Sequence, residues 1–242
     1  MTPTDETERG DWLRARIGGW GTVGGVAGTG FEAYVRLLHP APIDGPGATA
    51  SHWTWQDVAT RTGGTVHPLA QWWSLAGPDD RVFADPGGPV RLSSPPAGRL
   101  HPGLLAVLVP ALTEATTRTD DLTLAVWNGW GQSGLDAGET LHLPGRDYAL
   151  RTGSLFELSD PLWPWSAGIG WNEPFEGPMP QLIWPADHAW VVASEIDWDS
   201  TIVAGSRALI DELLSTPAVE TLEIDPAGSL TSDSDLVNTP PR

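Results

Sequence analysis

Apolar and polar positions alternate over Phe31–Leu38. Phe31, Ala33, Val35 and Leu37 fall on one side of an extended chain, with Glu32, Tyr34 and Arg36 on the other. The same two-residue period marks Leu122–Trp127, which runs into Asn128-Gly129, a hairpin signal when strands flank it. Glu139–Leu143 and Arg146–Arg151 flank Pro144-Gly145, a pair suited to a type II turn, and Ser154–Leu158 would add a third strand to that meander. Trp190–Ile196 predicts a further strand, and Thr221–Ile224 one at a sheet edge. Elsewhere the period is helical. His101–Thr117 carries Leu104, Leu105, Leu108, Val109 and Leu112 on a wide apolar surface, with Pro102 in its first turn and Pro110 predicting a kink. Ser206 is placed to cap a helix through Leu214, with Leu209, Ile210, Leu213 and Leu214 on its buried stripe. Thr54 and Asp57 have capping-box spacing, so Trp55–Arg61 predicts a short helix stopped by Gly63-Gly64. Asp11–Ile17 and Pro68–Leu75 predict shorter ones. Hairpin signals without regular βαβ units make the class α+β, with a mixed or mainly antiparallel sheet.

The segments between these patterns read as irregular. Gly18–Gly30 holds seven glycines in thirteen residues. Pro40–Ala50, Gly77–Arg99 and Asp160–Pro180 are rich in Pro and Gly and predict loops. The organisation expected is a solvated acidic tail over 1–10, one domain over 11–228 with an irregular excursion at about 77–99, and a flexible tail over 229–242.

Composition narrows the chemistry. The 242 residues include 31 acidic and 13 basic side chains, a formal charge of −18, and no cysteine. Every basic residue is arginine. Disulfides, thiol nucleophiles, Cys-ligated zinc and iron–sulfur clusters are excluded, as are the Walker A lysine and Schiff-base chemistry. The acidic surplus repels nucleic acid and anionic membrane, so neither is expected as a partner; a basic protein is. Met1–Asp11 has no apolar core of the kind a signal peptide carries, and a soluble cytoplasmic protein is expected.

Tryptophan supplies 14 residues where Phe and Tyr together supply six. Most suit a core. Trp163, Trp165 and Trp171 sit in a loop with no period that would bury them all, so they are candidate partner anchors. Glu195, Asp197 and Asp199 would point to one side of an extended chain and want water, an arginine or a divalent cation. Asp197-Trp198-Asp199-Ser200-Thr201 also matches the D-x-D-x-T loop of haloacid-dehalogenase-type phosphatases, although the phosphate-binding lysine is missing. Gly19-Trp20-Gly21-Thr22-Val23-Gly24 matches G-x-G-x-x-G, but a strand candidate follows where a dinucleotide site needs a helix.

Four strings occur together: Phe31-Glu32-Ala33-Tyr34-Val35-Arg36-Leu37-Leu38-His39-Pro40, Pro144-Gly145-Arg146-Asp147-Tyr148, Trp184-Pro185-Ala186-Asp187-His188-Ala189-Trp190, and Ser194-Glu195-Ile196-Asp197-Trp198-Asp199-Ser200-Thr201. Over about half the chain this resembles an uncharacterised group of actinobacterial proteins with no assigned activity. The resemblance implies an actinobacterial host and a cytoplasmic setting, and it transfers no catalytic residue.

The function expected is that of a non-enzymatic, acidic interaction protein of the inhibitor, immunity or adaptor kind. Glu195, Asp197, Asp199 and Asp187 would face a basic partner, with Trp163, Trp165, Trp171 and Trp184 as anchors. No cofactor and no metal site are expected. The rival is a metal-assisted hydrolase built on Glu195, Asp197 and Asp199, or a carbohydrate-active or glycan-binding protein that pairs those carboxylates with loop tryptophans.

Overall fold

A computed structural model describes residues 9–78, 80–131, 140–168 and 178–238. Its strands form two antiparallel sheets with helices packed on them, an α+β fold. The larger sheet has eight strands in the order β12 (Glu220–Glu223), β1 (Ala33–Leu38), β11 (Ser200–Gly205), β10 (Val191–Ala193), β9 (Leu182–Pro185), β6 (Leu122–Trp127), β8 (Arg146–Gly153) and β7 (Thr140–Leu143). The smaller runs β3 (His52–Trp53), β2 (Ala41–Asp44), β5 (Gly88–Leu92) and β4 (Arg81–Asp85).

Alternation along the central strands feeds two cores. Val35, Leu37, Leu124, Ile183, Val192 and Val203 face helices α5 (Pro102–Glu114) and α8 (Arg207–Ser215), meeting Leu105, Leu108, Leu112, Leu209 and Ile210. Tyr34, Tyr148, Leu182, Trp184, Val191 and Ile202 turn to the other face, covered by Leu13 of α1 (Asp11–Arg14) and Val23 and Ala27 of α2 (Val23–Ala27). A third core joins the small sheet to α3 (Trp55–Thr62) and α4 (Trp72–Ala76). Because both faces of the large sheet are covered, β1 and β11 are buried along their whole length. The side of β1 expected to be polar is therefore buried too, Arg36 included.

Capping chemistry sets the helices that the patterns predict. Thr54 and Asp57 exchange both bonds of a capping box, and Gly63 closes α3 in the left-handed conformation. Ser206 accepts from the Leu209 N–H at the start of α8. Pro144-Gly145 joins β7 to β8, pairing Leu143 with Arg146, and Gly145 takes φ 81°, as the second central position of a type II turn requires.

Other expectations are corrected. Ser154–Leu158 is not a strand: Ser154 and Glu157 form a second capping box and start α6 (Leu155–Leu158). Gly18–Gly30 contains α2, capped by Thr22. Pro40–Ala50 contains β2, and Gly77–Arg99 contains the β4–β5 hairpin, closed between Asp85 and Gly88. In the segment expected to begin a helix at Pro68, α4 starts only at Trp72. Asn128–Trp130 is a 3-10 turn rather than a hairpin, and β6 pairs with β8 and β9. Within the Asp160–Pro180 loop, Trp163–Ser166 forms α7.

The segment expected to fray after Ser229 is pinned through Asn238. Ser229 bridges Thr22, and Leu230 donates to the Gly21 carbonyl at 2.9 Å. The Asp235 carboxylate accepts from His67 Nε2 at 2.9 Å, the Gln71 N–H at 3.0 Å and the Asn238 amide at 2.8 Å.

Candidate functional site

Between β10 and β11 the chain turns tightly, with the Trp198 N–H donating to the Glu195 carbonyl at 3.0 Å. Two neighbours hold the turn: the His39 N–H donates to the Asp199 carbonyl at 3.0 Å, and the Gly98 N–H to the Trp198 carbonyl at 2.9 Å. Gly98 has φ 74°, and a Cβ there would stand 2.6 Å from the Ile196 carbonyl oxygen, so glycine is required. Behind the turn lies a buried polar chain. His39 Nδ1 is 2.7 Å from the Pro96 carbonyl, which can only accept, so Nδ1 carries the proton. Nε2 then accepts from Thr201 Oγ1 at 2.8 Å, and Thr201 from Ser194 Oγ at 2.7 Å. Burial holds the His39 pKa down to about 4, so the ring is neutral near pH 7.

Glu195, Asp197 and Asp199 all line one cleft of about 350 Å3. Their charges meet arginines of the same chain. Arg146 Nη2 donates to Glu195 Oε1 at 2.8 Å and to Asp197 Oδ2 at 3.1 Å. Arg36, 1% exposed, donates to Ser200 Oγ at 2.9 Å and to the Pro68 and Ala70 carbonyls at 3.0 and 2.7 Å. Its Nη2 lies 3.5 Å from Asp199 Oδ1. Burial lowers the Arg36 pKa to about 10, still charged at neutral pH, and pushes the Asp199 carboxyl up against the pull of Arg36. Among the described residues, no three His, Asp or Glu side chains are grouped to hold a metal ion.

The rest of the lining is aromatic and polar. The Arg146 guanidinium lies 5.3 Å from the Trp20 ring and 5.7 Å from the Trp127 ring. Trp20 is 69% exposed at the mouth of the cleft, Trp198 is half-buried in its wall, and Asp197 keeps 71% of its side chain exposed. Tyr148 is 5% exposed and lines the cleft. Burial, then the neighbouring Glu195 charge, pushes its hydroxyl above the ordinary phenol range, so it stays protonated. Arg146 Nε is buried without a hydrogen-bond partner among the described residues. Thr231 and Ser232 of the C-terminal segment close the wall.

Of the other residues expected at a partner contact, those among the described residues do not join this site. Trp184 is 1% exposed and packs edge-on to Trp12, so it is a core residue rather than a surface anchor. Trp163 is 5% exposed and belongs to the core on the α5–α8 face of the large sheet. Asp187 is spent internally, accepting from the Thr116 and Thr117 hydroxyls and the Thr117 N–H at 2.8–2.9 Å, which ties the end of α5 to the β9–β10 connection. Trp165 is 57% exposed, on the α6–α7 segment that also exposes Phe156 and Leu162. Trp171 lies outside the described residues.

Sequence reasoning missed the roles of Arg36, Arg146, Tyr148 and Trp20. One signal was available: a lone arginine in the apolar strand Ala-Tyr-Val-Arg-Leu-Leu must find an acid if it is buried. Three of the four strings quoted above fold onto this one cleft, through Arg36, through Arg146 and Tyr148, and through Glu195, Asp197 and Asp199. No protein-family model, curated protein or solved structure matches the chain.

Proposed function

We propose that this chain is a non-enzymatic binding protein whose cleft takes a small, uncharged, polar ligand. One observation carries the reading: each acid of the cleft already meets an arginine of the same chain, and hydroxyl and carboxylate oxygens line the space beside these pairs. Arg36 and Arg146 stand against three acids, Asp199, Glu195 and Asp197, and each arginine is already paired, so an anionic ligand gains little. Yet Tyr148 lines the cleft with a protonated hydroxyl as donor, and the second oxygens of Glu195 and Asp197 remain as acceptors. The test is thermal denaturation with a varied set of small polar compounds. A neutral compound is expected to raise Tm, and the rise is expected to vanish in Tyr148→Phe. No rise with any neutral compound rejects the reading. Turnover of glycosides or phosphate esters that is lost in Asp199→Asn would reject the non-enzymatic part.

A second reading keeps the basic protein partner. The exposed indole of Trp20 and the exposed carboxylate of Asp197 stand together at the mouth of the cleft in a molecule of charge −18. It expects capture of a cationic protein that weakens with added salt and with Asp197→Asn. Salt-insensitive capture counts against it.

A further inference from the structure

The geometry points to a saccharide, one or two pyranose rings, as the ligand of the cleft between Arg146, Tyr148, Trp20 and the Glu195–Asp199 turn. This rests on the small-ligand reading above and narrows it. The unused polar atoms are of both kinds and lie close together. Tyr148, at 5% exposure, offers a hydroxyl proton beside Glu195 and Arg146, whose charges it feels. Glu195 Oε2 and Asp197 Oδ1 accept. A ligand must therefore donate and accept at neighbouring points, which vicinal hydroxyls do with a single group each. Arg146 already fixes both carboxylates in place, so they are preorganised as acceptors.

The apolar half of the lining fits the same class. Indole faces of Trp20 and Trp198, with Ile17 and Leu143, meet the C–H face of a pyranose by stacking and dispersion. About 350 Å3 lies at the small end of ligand sites, which suits one or two rings. Two competing classes fit less well. A nucleobase is read by paired amide-like donors and acceptors, and Gln71, the amide side chain in the lining, has one N–H turned to Ser234 Oγ at 3.1 Å. A phosphate needs an uncompensated positive charge, and both arginines here are already paired with acids. An amine would compete with Arg36 and Arg146 for carboxylates that each already meet one of them.

The experiment titrates the full chain with methyl glucosides, cellobiose, maltose and chitobiose. Parallel titrations use adenosine and N-acetylarginine amide, all followed by calorimetry. The expected result is saturable binding of at least one saccharide. Affinity should fall about tenfold or more in Tyr148→Phe and in Trp20→Ala. Far-UV circular dichroism and Tm of both variants should match the parent, since neither change removes a packed hydrogen bond. Adenosine binding without saccharide binding overturns the inference and leaves the small-ligand reading standing. Binding of N-acetylarginine amide alone overturns both in favour of the basic partner. Saccharide binding untouched by either variant places the site elsewhere and also overturns the inference, as does no binding of any saccharide.

Discussion

Arg36 and His39 show what single polar side chains cost and contribute inside this sheet. Four groups surround the Arg36 guanidinium: two carbonyls, a hydroxyl and the Asp199 carboxylate. Replacing it with the similarly long Met strands all four, and removing one partner of a buried ion pair is the expensive change. Arg36→Met is expected to lose about 3 kcal/mol, read from the shift in urea midpoint. His39 adds a pH dependence. Burial lowers its pKa from 6.5 to about 4, so between those values the unfolded chain takes up the proton and the folded one does not. The stability it contributes is fully present above about pH 6.5 and is lost as pH falls toward 4. His39→Gln should flatten the stability–pH slope across that window, measured by urea melts at several pH values. Asp199 and Glu220, whose carboxyls burial pushes up, contribute with the opposite sign, favouring the fold at low pH. Both groups are present in the two proteins compared, so their contribution cancels.

Among the elements, those set by local hydrogen bonds are legible in the sequence and those set by neighbours are not. The capping box of α3 and the cap of α8 are written in residues three apart. Thr54→Ala should cost about 1 kcal/mol by chemical denaturation, with the rest of the fold unchanged. The second capping box, at Ser154 and Glu157, has the same spacing but sits in an alternating segment, and there the hydrogen bonds override the apparent strand period. Strands β2, β4 and β5 contain or flank proline and glycine and belong to a short four-stranded sheet; their pairing comes from one another, and no window of sequence displays it. The turn that carries Glu195, Asp197 and Asp199 depends on a remote glycine in the same way. Gly98→Ala places a Cβ against the Ile196 carbonyl and forces a left-handed backbone on alanine, so it should destabilise by more than about 1 kcal/mol, again read by denaturation. The same variant should weaken any ligand bound in the cleft.

Over the whole molecule, the shared location of Glu195, Asp197 and Asp199 is legible from their spacing, but their counter-ions are not. Arg36 and Arg146 arrive from β1 and β8, separated by 163 and about 50 positions from the acids they meet. The net charge is a global property that sequence does display. With 31 acids and 13 arginines, repulsion across the surface opposes the compact state, so Tm should rise as salt increases from low to physiological ionic strength. Among the described residues no helix is long and apolar enough to cross a membrane.

The closing of the cleft wall by Leu230, Thr231 and Ser232 has a temporal meaning. A ribosome delivers Arg36 first, its acid 163 residues later and residues 230–232 after both. Pairings of such long sequence separation form slowly, because the intervening loop must close before they reward it. The cleft wall thus waits on residues 230–232, and a chain halted before them would carry Arg36, Arg146 and the Glu195–Asp199 turn without that wall.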